Sequence, residues 1–195
     1  MEQCYVLKIN EEKNIQENSD LCFIGGYPRI PISATIPKCK LCNKEQTFMF
    51  QVAFPENHVW YGLSMAIFAC TSCAKEGYFI PEMLNVHLKG ANIPLGFLDK
   101  YQKNFKSMIF ETSEARVQTD YCEKVKFKKW DLIKATNNKI NKNKIGGIPK
   151  WVLDDETPST YNYENSMFFI MQIFEEFEFE KSPKAPPQIE LSLTG

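Results

Sequence analysis

The sequence predicts an α+β protein, mainly β, with internally duplicated β-rich halves and a cysteine-stapled ribbon in the first half. Three observations predict it. The chain holds 15 Phe, 8 Tyr and 3 Trp, residues that favour pleated, half-buried strands. Four of its seven cysteines fall into two C-x-x-C pairs, Cys39/Cys42 and Cys70/Cys73. A glycine-proline motif, Ile24-Gly25-Gly26-Tyr27-Pro28-Arg29, returns as Ile145-Gly146-Gly147-Ile148-Pro149-Lys150.

Each C-x-x-C pair can set two thiolates on one side of a tight turn. Together the pairs offer the four soft ligands of a closed tetrahedral Zn²⁺ site, so Cys39, Cys42, Cys70 and Cys73 are predicted to hold a structural zinc. A closed site leaves no coordination position for a substrate, which argues for a staple rather than a catalyst. An odd cysteine count suits a reducing, cytoplasmic setting better than a disulfide framework. Cys4, Cys22 and Cys122 are then expected to be buried small hydrophobes.

The repeat keeps one offset, the 121 residues between Ile24 and Ile145. Pro37 matches Pro158, Phe48 matches Phe169 and Gln51 matches Gln172 in the same register. Gly-Gly permits positive φ or close approach of another backbone, and the following Pro favours extended geometry before it. Each half therefore reads as a glycine-proline turn, a loop and a core strand, Thr47–Phe54 in the first and Met167–Phe174 in the second. Thr160 and Tyr163 stand where Cys39 and Cys42 would recur, so the metal belongs to the first half alone.

In chain order, Cys4–Ile9 and Leu21–Ile24 are predicted strands, and Pro28, Pro31 and Pro37 make an extended, irregular stretch. Val59–Ala69 is a second apolar stretch running into Cys70. A short helix is expected at Leu98–Phe105, then strands at Lys106–Glu111 and Glu123–Ile133, the latter with a period-2 face. The polar run Asn137–Asn143 is the boundary between a first half with its connecting segment, 1–136, and a second repeat, 137–195. The acids of Phe174–Glu180 alternate with phenylalanine as on an edge strand, and Gln188–Leu193 reads as a strand. Thr194-Gly195 carries no obvious cap, which predicts a further strand or hairpin beyond it.

Length allows one large domain or two small ones, and 44% hydrophobic with 24% charged residues is ordinary globular composition. A net charge of −1 offers no bulk attraction to nucleic acid or anionic membranes. No apolar run approaches the roughly 20 residues of a membrane span, and Met1–Lys13 has no signal-peptide pattern. Charge is segregated nonetheless. Lys124–Lys150 holds nine lysines against the single acid Asp131, whereas Trp151–Glu180 holds eight acids and no lysine or arginine. These can be two solvated faces, a docking face for a charged protein, or a basic stretch for RNA.

No enzyme signature is present. His58 and His87 sit outside any metalloprotease pattern, and there is no nucleophile elbow, Walker loop or dinucleotide fingerprint. The paired C-x-x-C arrangement is unlike the single motif of a thioredoxin-type redox site.

At IGGYPRIP, PKCKLCN and FMFQV the chain resembles the YwqG-like family of bacterial proteins, and its second IGGIPKW fits the same pattern. The wider relatives include the programmed cell death protein 2 family. Ile36 and Asn43 depart from the Trp and Gly usual there. The resemblance implies a zinc-bearing binding protein, an immunity protein or a small chaperone. The expected function is thus non-enzymatic capture of a protein client or toxin, with Tyr27, Arg29, Lys126, Lys128, Trp130, Lys150 and Trp151 as contact candidates. RNA binding through Lys124–Lys150, with Phe127 and Trp130 as stacking rings, is the alternative. No membrane partner is expected.

Overall fold

A computed structural model describes residues 3–73, 86–151, 154–174 and 178–185, with Leu98 described by its backbone alone. The predicted strand at Gln188–Leu193 lies outside the described residues. The elements run β1 Tyr5–Asn10, β2 Phe23–Ile24, β3 Arg29–Pro31, β4 Thr47–Ala53, β5 Leu63–Ala69, β6 Asn92–Ile93, α1 Phe97–Tyr101 and β7 Phe105–Glu111. They continue with β8 Ala115–Val117, β9 Lys128–Lys134, β10 Lys144–Ile145, β11 Thr160–Tyr161, β12 Asn165–Ser166 and β13 Met171–Gln172.

Eight strands form one curled antiparallel sheet in the order β13-β10-β1-β9-β2-β4-β5-β7. Smaller ladders join β12, β11 and β6, and β3 with β8. Strands β10 and β13 come from beyond Asn137; β10 pairs onto β1, with Tyr5 opposite Ile145, and β13 pairs onto β10, with Ile145 opposite Met171. The two predicted segments therefore meet in a shared hydrogen-bonded ladder.

Side-chain alternation divides the core in two. On one face Trp130, Ile24, Phe50, Val52 and Met65 pack together with Tyr5, Leu7 and Ile145. On the other lie Phe23, Phe48, Phe68, Phe110 and Phe127 with Ile30. Phe48 bridges Phe23 and Phe68 at centroid distances of 5.7 and 5.4 Å. All seven residues of β4 are buried, because both faces of this central strand are covered. That explains its continuous apolar reading. A bulge between Phe48 and Phe50 puts Met49 on the same side as Phe50.

Matching contacts build the two glycine-proline turns. Gly25 N–H donates to Met49 O at 2.8 Å, and Gly146 N–H to Ile170 O at 2.7 Å. The N–H of Arg29 reaches Gln51 Oε1 at 3.2 Å, and that of Lys150 reaches Gln172 Oε1 at 3.0 Å. All four glycines have positive φ. Phe23 lies opposite Gln51 as Lys144 lies opposite Gln172.

Several expectations are corrected. Residues 59–62 form turn, with β5 starting only at Leu63. In place of a long strand over Glu123–Ile133, β9 begins at Lys128, and Val125 makes an isolated bridge to Lys181. The predicted core strand Met167–Phe174 is reduced to β13, and Met167 and Phe168 are exposed. This strand forms the end of the sheet, so it lacks the second neighbour that buries β4. Residues 178–180 are irregular, and Glu180 folds back onto Lys126 and Lys128. Cys4 and Cys22 are buried as expected, but Cys122 is exposed. Among the described residues no helix is long and apolar enough to cross a membrane.

Candidate metal centre and partner surfaces

Strands β4 and β5 are antiparallel neighbours, with Thr47 opposite Ala69. Cys39 and Cys42 lie just before β4 and Cys70 and Cys73 just after β5, so the hairpin returns both pairs to the same end. The four sulfurs lie within 4.8 Å of one another, and Cys42 Sγ is 3.6 Å from Cys70 Sγ. A tetrahedral metal with bonds of about 2.3 Å to sulfur needs sulfurs about 3.8 Å apart, so the cluster is compatible with a metal ion. Leu41 packs against these cysteines in a small cluster separate from both main cores.

Local backbone builds the cradle. Cys39 N–H donates to Lys44 O at 2.9 Å, and Asn43 N–H donates to Cys39 O at 2.8 Å. The second pair sits on a short 3₁₀ turn, Thr71–Cys73, with Cys73 N–H 3.2 Å from Cys70 O. A backbone hydrogen bond from Lys44 is the main cause that pulls the Cys42 thiol down to about 7. Burial is the main cause that pushes Cys70 up to about 11, and Cys73 is raised for the same reason. Metal binding, which needs thiolates, must therefore displace protons from the buried pair.

Asn43 occupies the left-handed region at φ 60°. Asn tolerates this conformation, Gly is free in it, and β-branched residues are strained there. Asn43→Gly should leave thermal stability almost unchanged, whereas Asn43→Val should cost about 1–2 kcal/mol. Equal melting temperatures for the two variants would contradict this account of the turn.

The other predicted contact residues scatter. Trp130 is 2% exposed and Phe127 is 5% exposed. They fill the two cores and cannot stack on a base, which corrects their reading as RNA-binding rings. Lys126 and Lys128 both pair with Glu180, at 2.6 and 3.2 Å, and Lys129 pairs with the buried Asp20. Lys144 is fully buried, its ammonium donating to the carbonyls of Ile140 and Ile148. The basic stretch is thus partly consumed within the fold.

Arg29 also faces inward. Its guanidinium donates to the carbonyls of Asn18 and Ala115, and burial lowers its pKa from the ordinary value. Tyr27 N–H and C=O are held by the Gln16 side-chain amide, and its hydroxyl lies 3.4 Å from Lys184 Nζ.

Tyr27 lines a small hollow with Gln16 and Glu123, whereas Trp151 lines an apolar cavity. The space is ≈ 280 Å³ and apolar, walled by Met65, Trp151, Met167, Phe168 and Met171 among others. Met65 lies on β5 and Met171 on β13, so the curl of the sheet brings its two sides together around the cavity. Exposed Lys150 precedes Trp151, with its ammonium 5.9 Å from the Phe174 ring. The sequence predicts a core strand over Met167–Phe174, which supplies most of this lining. Its methionine-rich run, Met167-Phe168-Phe169-Ile170-Met171, was the available signal.

No family model matches the chain, and no curated protein matches it at a significant level.

Proposed function

We propose that the protein is a non-enzymatic binding protein that captures an extended, basic and apolar segment of a protein client. The observation that supports it most is the open seam of the curled sheet. Among the described residues, no ladder joins its end strands β7 and β13. The seven-residue β7 and the cavity at Met65, Trp151 and Phe168 offer the two components of β-augmentation, backbone partners and side-chain pockets. Phe168 is 47% exposed and Ile109 on β7 is 44% exposed. Nearby in sequence, Asp154 and Glu164 are exposed and enter no ion pair among the described residues. Their charge favours a partner segment carrying Lys or Arg beside its apolar side chains.

We propose Zn²⁺ as the metal of the Cys39/Cys42/Cys70/Cys73 centre, because four thiolates in a closed, partly buried cluster match its soft, tetrahedral preference. We also read the two glycine-proline units as diverged copies of one motif. Their support is the common 121-residue offset carried by sequence and by the paired turn contacts. The resemblance to the YwqG-like family then makes an immunity protein or a small chaperone the biological form of this reading.

The test uses immobilised extended peptides of varied sequence, with Trp151 fluorescence as a second readout. Peptides alternating basic and aliphatic residues should bind. Phe168→Asp should weaken them at least about tenfold, the order of a lost hot-spot contact. Absence of any binder, or binders indifferent to Phe168→Asp, would sink the reading.

A further inference from the structure

We infer that the surface around the cysteine knuckle binds single-stranded nucleic acid through a set of lysines that sequence order does not reveal. Six lysines from three segments meet there. Lys38, Lys40 and Lys44 surround the first C-x-x-C turn, Lys100 and Lys103 flank the end of α1, and Lys124 approaches from the segment before β9. The segments are joined by direct contacts. Lys40 N–H donates to Lys103 O at 2.8 Å, and Lys40 Nζ donates to Asp99 O at 2.8 Å. Cys70 N–H donates to Asn104 O at 2.7 Å, and Lys124 Nζ reaches Glu45 O at 3.5 Å.

Among the described residues none of the six charges is neutralised in an ion pair, in contrast to Lys126, Lys128 and Lys129, although Lys40 and Lys124 each donate to a backbone carbonyl. Lys38, Lys40, Lys44 and Lys100 are exposed. Against the six stand Glu45, Asp99 and Asp120, the last lining one groove with Lys38 and Glu45, which leaves a surplus of three positive charges. A divalent metal bound by four thiolates would neutralise two of these, so a positive surface remains with the centre filled. The stapled turns hold the charges at fixed positions, which limits the ordering cost of binding a polyanion.

Beside the lysines runs a ladder of half-buried rings. Phe97 and Tyr101 have centroids 5.5 Å apart, and Tyr101 and Phe105 have centroids 5.0 Å apart. Lysines interleaved with aromatic rings in the sequence Phe97–Lys106 supply both parts of single-strand recognition, phosphate contacts and stacking faces. An acidic protein would use the charge but has less need of the rings, so the polynucleotide is the better fit. This surface meets the proposed client site only at the start of β7, Phe105 and Lys106. It shares no residue with the apolar cavity at Trp151 and Phe168, so Phe168→Asp tests the client site alone.

The experiment uses the full chain loaded with zinc and labelled oligouridylate and oligodeoxythymidylate, each longer than the ~4–16 nucleotides of a typical single-strand site. Fluorescence anisotropy should show binding at low salt, with a slope of log K against log salt of about −3 to −4 for four to six phosphate contacts. The double variant Lys44→Ala/Lys100→Ala should lose about tenfold in affinity and flatten the slope by about 1.4, the share of two phosphate contacts on a single strand. Neither side chain has a hydrogen-bond partner among the described residues, so the fold should stand, and unchanged zinc content checks this. Lys126→Ala/Lys128→Ala and Phe168→Asp should leave binding as it was. A preference for the uridylate strand assigns RNA, and equal binding assigns the shared phosphate and base chemistry. No binding at low salt overturns the proposal, as does a double variant indistinguishable from the parent. Polyglutamate competing as well as the oligonucleotide also overturns it, in favour of an acidic protein.

Discussion

Removing the metal, or replacing Cys73 with serine, should lower the melting temperature by about 8–16 °C. The figure follows from linkage: a ligand at a thousand times its Kd stabilises by about 4 kcal/mol, and a chain of this size shifts by about 2–4 °C per kcal/mol. The loss should be local first. Cys39, Cys70 and Cys73 form a cluster of their own, apart from the two aromatic and aliphatic cores. Amide exchange should therefore accelerate at residues 38–46 and 70–73 on chelation while Phe48–Val52 stays protected. With the metal gone, Cys70 and Cys73 are protonated at neutral pH, since burial raises both. Rebinding must release those protons, so metal affinity should rise with pH. Chelation that leaves both melting and exchange unchanged would remove the metal from the account of this fold.

Gly25→Ala should be more damaging than any exposed glycine substitution, costing about 4 kcal/mol or more or preventing folding altogether. Two effects add. Gly25 has φ 55°, where an added Cβ costs about 1–2 kcal/mol. That Cβ would also stand 2.4 Å from Val125 O and 2.5 Å from Lys126 O. These are backbone atoms of the segment leading into β9, and they cannot move without disturbing Val125 and Phe127, which are buried in opposite cores. Gly96 provides the control. It has φ 73° but nothing within 4 Å of a built Cβ, so Gly96→Ala should cost only the backbone term, about 1–2 kcal/mol. Denaturant melts of the two variants separate strain from collision. Equal losses would mean that Gly25 serves backbone freedom alone.

Much of the scaffold could be read from local pattern. Strands β1, β4 and β7 fall within a residue or so of their predicted bounds because each carries a dense apolar or aromatic run. The cysteine cluster was legible because C-x-x-C spacing and an intervening hairpin are both local in sequence. Met167–Phe174 misled for the opposite reason. Its apolar run resembles that of β4, but position in the sheet decides burial, and β13 lies at the end. The lysine-rich stretch misled likewise, since Lys126, Lys128 and Lys129 find partners at Glu180 and Asp20, far away in sequence.

By itself the sequence determined a mainly β chain, two glycine-proline turns and a quartet of thiols. These follow from residue chemistry acting over a few positions: positive φ at glycine, soft sulfur at fixed spacing, and apolar side chains on extended backbone. Only the tertiary structure decided which charges are neutralised, which aromatic rings are buried and which surfaces stay open. Those outcomes depend on strand order and curl, which bring Met65 to Met171 and Lys40 to Lys103 across long sequence separations that no local pattern encodes.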